Sequence, residues 1–173
     1  MLSKAPLSPL SSYSILFHPL NSSLILSMQD QQNIEFKHEL PAQFRFSDID
    51  QFGHVNNNAY FSLFDMCKTR YFLDVAGHDI FQRITIVIAN VNANFLAPIY
   101  YPDEIVLQTT MLRIGKKSFT LLQRAINART QEVKCECRTI MVCYDRDEGC
   151  TILMPDDVRQ SIEAFEGRLF PKE

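Results

Sequence analysis

Between residues 59 and 75 the apolar side chains Ala59, Tyr60, Leu63, Phe64, Cys67, Tyr71, Phe72 and Val75 return at three- and four-residue intervals, which is one broad face of an α-helix. Asn56 and Asn57 stand just before this run, where a short amide side chain accepts a hydrogen bond from unpaired first-turn N–H groups, and Gly77 follows it as a C-cap. Downstream the period changes to two, and residues 83–96, 104–114, 118–128 and 132–144 read as strands. The last is the clearest: Val133, Cys135, Cys137, Thr139, Met141 and Cys143 alternate with Lys134, Glu136, Arg138, Ile140, Val142 and Tyr144. Hairpin-length turns, Gly-Lys-Lys at 115–117 and Ala-Arg-Thr at 128–130, join the last three strands and make them antiparallel. Upstream, 34–46 carries β-formers at Ile34, Phe36, Phe44 and Phe46 but is broken by Pro41, as in an interrupted or edge strand. Residues 155–167 open on Pro-Asp-Asp and place Val158, Ile162 and Phe165 at helical spacing, which predicts a short terminal helix. Strand, long helix, then a meander of long strands is an α+β pattern in which the sheet covers the helix's apolar face. The open sheet edge and the partly covered sheet face predict pairing with another copy of the chain.

Composition narrows the partners. The 173 residues carry 17 Lys plus Arg against 20 Asp plus Glu, and a net charge of −3 offers a polyanion no overall attraction, so nucleic acid is not expected as a partner. The five cysteines, Cys67, Cys135, Cys137, Cys143 and Cys150, are odd in number and lack repeated spacing. That fits neither a disulfide framework nor a zinc site with paired ligands, so no metal and a reducing, cytoplasmic location are expected. Cys135, Cys137 and Cys143 share one strand face, where cysteine serves as a small buried hydrophobe. Residues 1–27 are rich in Ser, Leu and Pro, and their apolar runs at 13–20 and 24–26 are broken. Neither run approaches the roughly 20 apolar residues of a membrane span, and only weak versions of signal-peptide features are present. The expectation is a disordered or artefactual extension over 1–27, with Met28 as the physiological start and a single domain over 28–173.

Candidate chemistry concentrates in 45–70, RFSDIDQFGHVNNNAYFSLFDMCKTR. This block resembles the hotdog-fold acyl-CoA thioesterases of the 4-hydroxybenzoyl-CoA thioesterase family. Their pattern is an aromatic strand end, then D-x-D-x-x-G-H-V-N-N, a Tyr three or four residues on, and an acidic residue within the helix. Asp48, Asp50, Gly53, His54, Val55, Asn56, Asn57, Tyr60 and Asp65 match it in order. The likeness extends from about residue 35 to about 144, through Asn-Phe-Leu-Ala-Pro at 94–98 and Gly-Lys-Lys-Ser-Phe at 115–119. It departs at Tyr100-Tyr101-Pro102-Asp103, where a Gly often precedes the Asp.

The resemblance implies a hotdog fold, a long central helix wrapped by a curved antiparallel sheet. It also implies hydrolysis of an acyl-CoA to a carboxylic acid and free CoA, in a dimer or tetramer, with CoA as part of the substrate and no separate cofactor. On this likeness Asp50 attacks the carbonyl or activates water, and the backbone N–H of Asn57 receives the oxyanion. His54 orients the loop or acts in acid–base chemistry, and Asp65 is a reserve catalyst. Gly53, Val55, Asn56 and Tyr60 surround the substrate, while Lys116, Lys117 and Ser118 lie near the nucleotide.

Elementary chemistry points the same way. Thioester hydrolysis passes through a tetrahedral oxyanion that needs fixed hydrogen-bond donors, and a helix N-terminus supplies unpaired N–H groups and a favourable dipole. Either role of Asp50, nucleophile or general base, needs only a carboxylate near the carbonyl carbon, so both stay open. Asp65, two helical turns past Asn57, either reaches a neighbouring subunit's site or pairs with Lys68 or Thr69 on a solvated face. Two other functions compete. A hotdog hydratase or dehydratase would use Asp50 with His54, although those enzymes resemble a D-x-N-x-x-H pattern. A non-catalytic acyl-CoA-binding protein would keep the pocket without turnover. The 13 Phe and 6 Tyr suit an aryl or a fatty acyl group and serve equally as core.

Overall fold

In the computed structural model, which describes residues 34–171, the helical periodicity becomes α1, Asn57–Ala76. Its buried residues, Tyr60, Leu63, Phe64, Cys67, Tyr71 and Phe72, are the apolar face, and Gly77 ends it at φ 95°. The strands are β1 His38–Pro41, β2 Thr85–Phe95, β3 Ile105–Ile114, β4 Ser118–Asn127, β5 Val133–Asp145 and β6 Cys150–Thr151. They form one antiparallel sheet in the order β1-β3-β4-β5-β2, with β6 paired to β5. The register shifts between Ile88 and Asn90, between Met111 and Arg113, and between Ala125 and Ile126. Such bulges increase local twist and curl a sheet, here around α1. The architecture is the expected α+β one; the boundary expected between 27 and 28 lies outside the described residues.

Three elements differ from expectation. The strand expected over 34–46 shrinks to β1, which occupies the sheet edge against β3 and ends at Pro41. Strand β2 starts at Thr85 because one turn of helix, α2 Ile80–Arg83, precedes it. Strand β6 follows a tight turn in which the Asp145 carboxylate accepts the N–H groups of Asp147 and Glu148.

Alternation in β5 holds on the inner face, where Cys135, Cys137, Thr139, Met141 and Cys143 are buried. The outer face also buries Lys134 and Glu136, because their charges are paired: Glu136 accepts from Arg124 at 2.9 Å and Lys134 reaches Glu132 at 2.6 Å. The Arg124 guanidinium in turn lies 4.9 Å over the Phe36 ring.

Two apolar clusters divide the core along α1. One gathers Val55, Tyr60, Phe64, Cys67, Ile99, Leu107 and Cys135 near the start of the helix. The other packs Tyr71, Phe72, Met111, Phe119 and Met141 against α3, Asp156–Glu166, through Val158 and Ile162. At this second end a single carboxylate closes the sheet edge. Strand β1 stops at the pair His38–Thr109, and beyond it Glu166 accepts the N–H of Met111 at 2.8 Å, the hydroxyl of Thr110 at 2.7 Å and the phenol of Tyr71 at 2.6 Å. Arg168 donates to the Met111 carbonyl, so side chains satisfy the edge groups that a strand would otherwise pair.

Candidate active site

The loop before α1 is folded back on itself. Ile49 and Val55 face each other in an antiparallel bridge, the N–H of Asp50 donates to the carbonyl of His54 at 2.9 Å, and that of Gly53 donates to the carbonyl of Asp50 at 3.0 Å. Gly53 sits at φ 82°, a left-handed conformation that side chains resist, and no atom lies within 4 Å of where its Cβ would be. The glycine is required by the turn itself and not by close packing. The loop is pinned on both sides: Val55 N–H donates to Ile99 at 2.9 Å, Asn56 N–H donates to Asp48 at 2.7 Å, and His54 bridges Tyr100.

This fold-back brings residues four apart into contact. His54 Nδ1 lies 3.1 Å from Asp50 Oδ2, with the imidazole 34% and the carboxylate 21% exposed. The other carboxylate oxygen, Oδ1, accepts the N–H of Phe52 at 2.8 Å. The imidazole is held between two rings, stacked on Phe52 at 5.9 Å and meeting Tyr100 edge-on at 6.2 Å.

The start of α1 lies beside this pair. Asn56 caps it, its side chain taking the N–H of Asn58 at 2.9 Å and its carbonyl that of Ala59 at 2.9 Å. The N–H of Asn57 is left without an acceptor among the described residues. A cleft of about 220 Å³ opens here, walled by His54, Asn57, Tyr60, Phe95, Leu96 and Pro98. Burial pushes the Tyr60 phenol up to about 12, so it stays neutral; its ring meets Phe95 edge-on at 5.2 Å.

Of the residues expected at the site, Asp50, Gly53, His54, Val55, Asn56, Asn57 and Tyr60 are thus gathered in one loop and one helical turn. Asp48 holds the loop's entry, accepting the N–H of Arg45 at 2.7 Å. Two groups stand apart. Asp65 is some 12 Å along α1 at ~1.5 Å per residue, 64% exposed and 2.6 Å from Lys68. It borders a second cavity of about 220 Å³ with Lys68, Phe72, Phe81, Ile88 and Met141. The turn of Lys116, Lys117 and Ser118 lies at the far end of β4, roughly 30 Å away at ~3.3 Å per residue, where Lys117 donates to the Thr151 carbonyl at 2.7 Å. The cleft walls Phe95, Leu96 and Pro98, and the rings of Phe52 and Tyr100, were not assigned a role from the sequence. The run at 94–98 was the available signal for the walls, since it marks where β2 leaves the sheet beside the helix start. At 100–103, where a Gly is often found before the Asp, Asp103 closes the turn by accepting the N–H of Tyr100 at 3.0 Å.

A model of the thioesterase-like superfamily matches residues 44–162. The chain belongs to that superfamily. It is a thioester hydrolase by class, and the loop, the helix start and the cleft all fall within the matched region. A thioesterase from Thermus thermophilus, solved with coenzyme A and Zn, has a TM-score of 0.69 to this chain at 25% identity, covering 77% of this chain and 96% of its own. The probable thioesterase YbaW from Escherichia coli gives 0.64 at 21% identity, covering 74% and 98%. A 1,4-dihydroxy-2-naphthoyl-CoA thioesterase from Synechocystis gives 0.65 at 16% identity, covering 72% and 94%. These likenesses establish the hotdog fold for this thioesterase. No curated protein matches its sequence. Among the described residues no helix is long and apolar enough to cross a membrane.

Proposed function

We propose that this thioesterase hydrolyses an acyl-CoA to a carboxylic acid and free CoA in the cleft at the start of α1. The observation that carries the reading is the meeting, at one cleft, of the Asp50–His54 pair with the free N–H of Asn57. A carbonyl oxygen placed on that N–H gains both the hydrogen bond and the positive end of the helix dipole as charge develops on it. Asp50 supplies the charge that drives attack on the carbonyl carbon, as nucleophile or within the general base. Thioester and water balance the reaction, so no cofactor is invoked. CoA as the carrier is supported by the CoA-bound thioesterase from Thermus thermophilus. Free thiols at Cys67, Cys135, Cys137, Cys143 and Cys150 suit a reducing cytoplasm.

The acting species in this reading is a dimer, alone or paired into a tetramer. Strand β2 is a sheet edge with Val87, Ile88, Val91 and Phe95 exposed, the kind of edge that pairs with another strand. A two-fold axis joins two such edges antiparallel, setting the Phe95 end of one protomer beside the Thr85 end of the other. The Thr85 end carries the 115–118 turn, through the pairs Val87–Val142 and Ser118–Val142. Pairing thus brings the partner's Lys116 and Lys117 toward the cleft, as phosphate contacts, and the partner's Asp65 with them. A monodisperse monomer in light scattering at micromolar concentration contradicts the pairing and the lysine contacts together.

A panel of acyl-CoA and acyl-carrier-protein thioesters assayed for free thiol tests the function. Thiol release from CoA thioesters is expected. Conversion of a 3-hydroxyacyl or enoyl thioester without thiol release would point to a hydratase, and tight CoA binding without turnover to a binding protein.

A further inference from the structure

We infer that Arg159 of α3 is a positioning residue for coenzyme A, holding the 115–118 turn in the shape that presents Lys116 to the nucleotide phosphates. The inference rests on the acyl-CoA reading above, including the phosphate contacts of that turn, and adds the part of the chain that sets the turn's geometry. Arg159 is 7% exposed, and its guanidinium donates to three backbone carbonyls and one carboxylate. Nη2 reaches the carbonyls of Ile114 at 3.2 Å and Gly115 at 2.8 Å, while Nη1 lies 3.4 Å from the Phe170 carbonyl and 3.5 Å from Glu163 Oε1. A planar guanidinium has five donors in fixed directions, so one side chain orients two consecutive peptide groups of the turn while staying anchored to its own helix and to Phe170. With glycine at 115 the turn has little restraint of its own, and these bonds decide its shape.

The next two carbonyls are held as well, that of Lys116 by the N–H of Met154 at 3.1 Å and that of Lys117 by the N–H of Cys143 at 3.0 Å. Four consecutive carbonyls, 114–117, are therefore bonded to donors of the protein, two of them to Arg159 and a third to the chain leading into α3. The opposite polarity is left open. Among the described residues the N–H groups of Lys116 and Lys117 have no acceptor, and the exposed Lys116 ammonium has no partner. The Lys117 ammonium donates to the Thr151 carbonyl at 2.7 Å, which ties it back to the same segment. A turn with every carbonyl engaged, and with N–H groups and an ammonium unengaged, has the polarity that a phosphate group requires. Arg159 touches no substrate in this arrangement; it acts through the backbone of the turn.

Two thioesters of the same acid test this, an acyl-CoA and the acyl-pantetheine that lacks the nucleotide, each assayed for thiol release by the parent, Arg159→Met and Arg159→Lys. The parent is expected to hydrolyse both, with the lower KM for the acyl-CoA. Arg159→Met keeps the apolar stem and removes the donors. Its KM for the acyl-CoA should rise about tenfold, the weight of one hydrogen bond to a charged group. Its kcat should stay within a few-fold of parent, because contacts remote from the carbonyl bind ground and transition states alike. The preference for CoA over pantetheine should shrink by the same factor. Arg159→Lys, which keeps the charge but not the fork, should fall between the two; if denaturation shows that Arg159→Met does not fold, this variant carries the comparison. Lys116→Ala should raise the KM for acyl-CoA less in either variant than in the parent, since both residues serve one contact. Equal losses on the two thioesters, or a fall in kcat at constant KM, would make Arg159 a purely structural residue and overturn the inference. Equal KM values for the two thioesters in the parent would also overturn it, while leaving the thioesterase reading standing. No hydrolysis of either by the parent would remove that reading and this inference with it.

Discussion

The two ends of α1 each hold a carboxylate that shapes its surroundings, and they do so in opposite ways. Glu166 is 7% exposed, and both of its oxygens face donors whose positions the fold determines: a phenol, a hydroxyl and a strand N–H. Asp50 is 21% exposed and has one backbone donor and one imidazole beside an open cleft. A carboxylate with three fixed donors on its two oxygens is committed to holding structure together. One that lies 3.1 Å from a titratable ring next to a cleft is placed where proton movement and chemistry can occur.

The strongest way to break the comparison is at the closed end. Glu166→Ala leaves the Thr110 hydroxyl, the Tyr71 phenol and the Met111 N–H buried without their acceptor. The expected loss is about 3–5 kcal/mol of folding stability, since each buried donor left without an acceptor costs about 1–3 kcal/mol. Chemical denaturation measures it; a midpoint unchanged from the parent would show that the network carries little. Next comes the open end. Asp50→Asn should lower turnover by about a hundredfold or more while moving the denaturation midpoint little, because the amide keeps the shape and part of the hydrogen bonding but not the charge.

The smallest effect expected is a pH dependence at the closed end. His38 packs edge-on to Tyr71 at 5.5 Å, and burial holds its imidazole below the ordinary 6.5, although the hydrogen bond to Asp74 works against this. Arg70 also lowers it, and the Glu166 charge raises it slightly. A histidine depressed in the folded state binds its proton more readily when unfolded. Its contribution is therefore intact above pH 6.5 and is lost as pH falls through 6.5 toward the folded value. Asp74, held below its usual range by Arg70 and His38 despite the opposing and larger cost of burial, weakens the fold in the same direction at lower pH. Denaturation midpoints that drop between pH 7 and 5 in the parent, and drop less in His38→Phe, are the expected result.

How much of this was legible in the sequence follows from how local each feature is. Helix α1, its Asn56 cap and its Gly77 end are written in adjacent residues, and the inner face of β5 in a strict alternation, so pattern reading reached them. The motif block announced that 48–57 mattered, but the contact between Asp50 and His54 was not contained in their spacing. Residues four apart meet in a loop only when a turn such as that at Gly53 returns the chain, here locked by the Ile49–Val55 bridge. The Glu166 network was out of reach altogether, because its partners Tyr71 and Thr110 lie 95 and 56 residues away in the chain. Strand β6, two residues long, has no period to read. The lysine turn was legible as a turn, but its distance from the cleft within one protomer depends on which end of β4 it closes.

The most direct test sets the two candidate acids of α1 and its loop against each other. Turnover is measured as thiol release from one acyl-CoA for the parent, Asp50→Asn and Asp65→Asn, with binding of the substrate followed separately. Loss of about a hundredfold for Asp50→Asn, with binding intact, is the result this account predicts. Asp65→Asn should stay within a few-fold of parent, since that carboxylate is exposed and engaged with Lys68. Near-parental turnover for Asp50→Asn and collapse for Asp65→Asn would contradict the account and move the chemistry onto the helix.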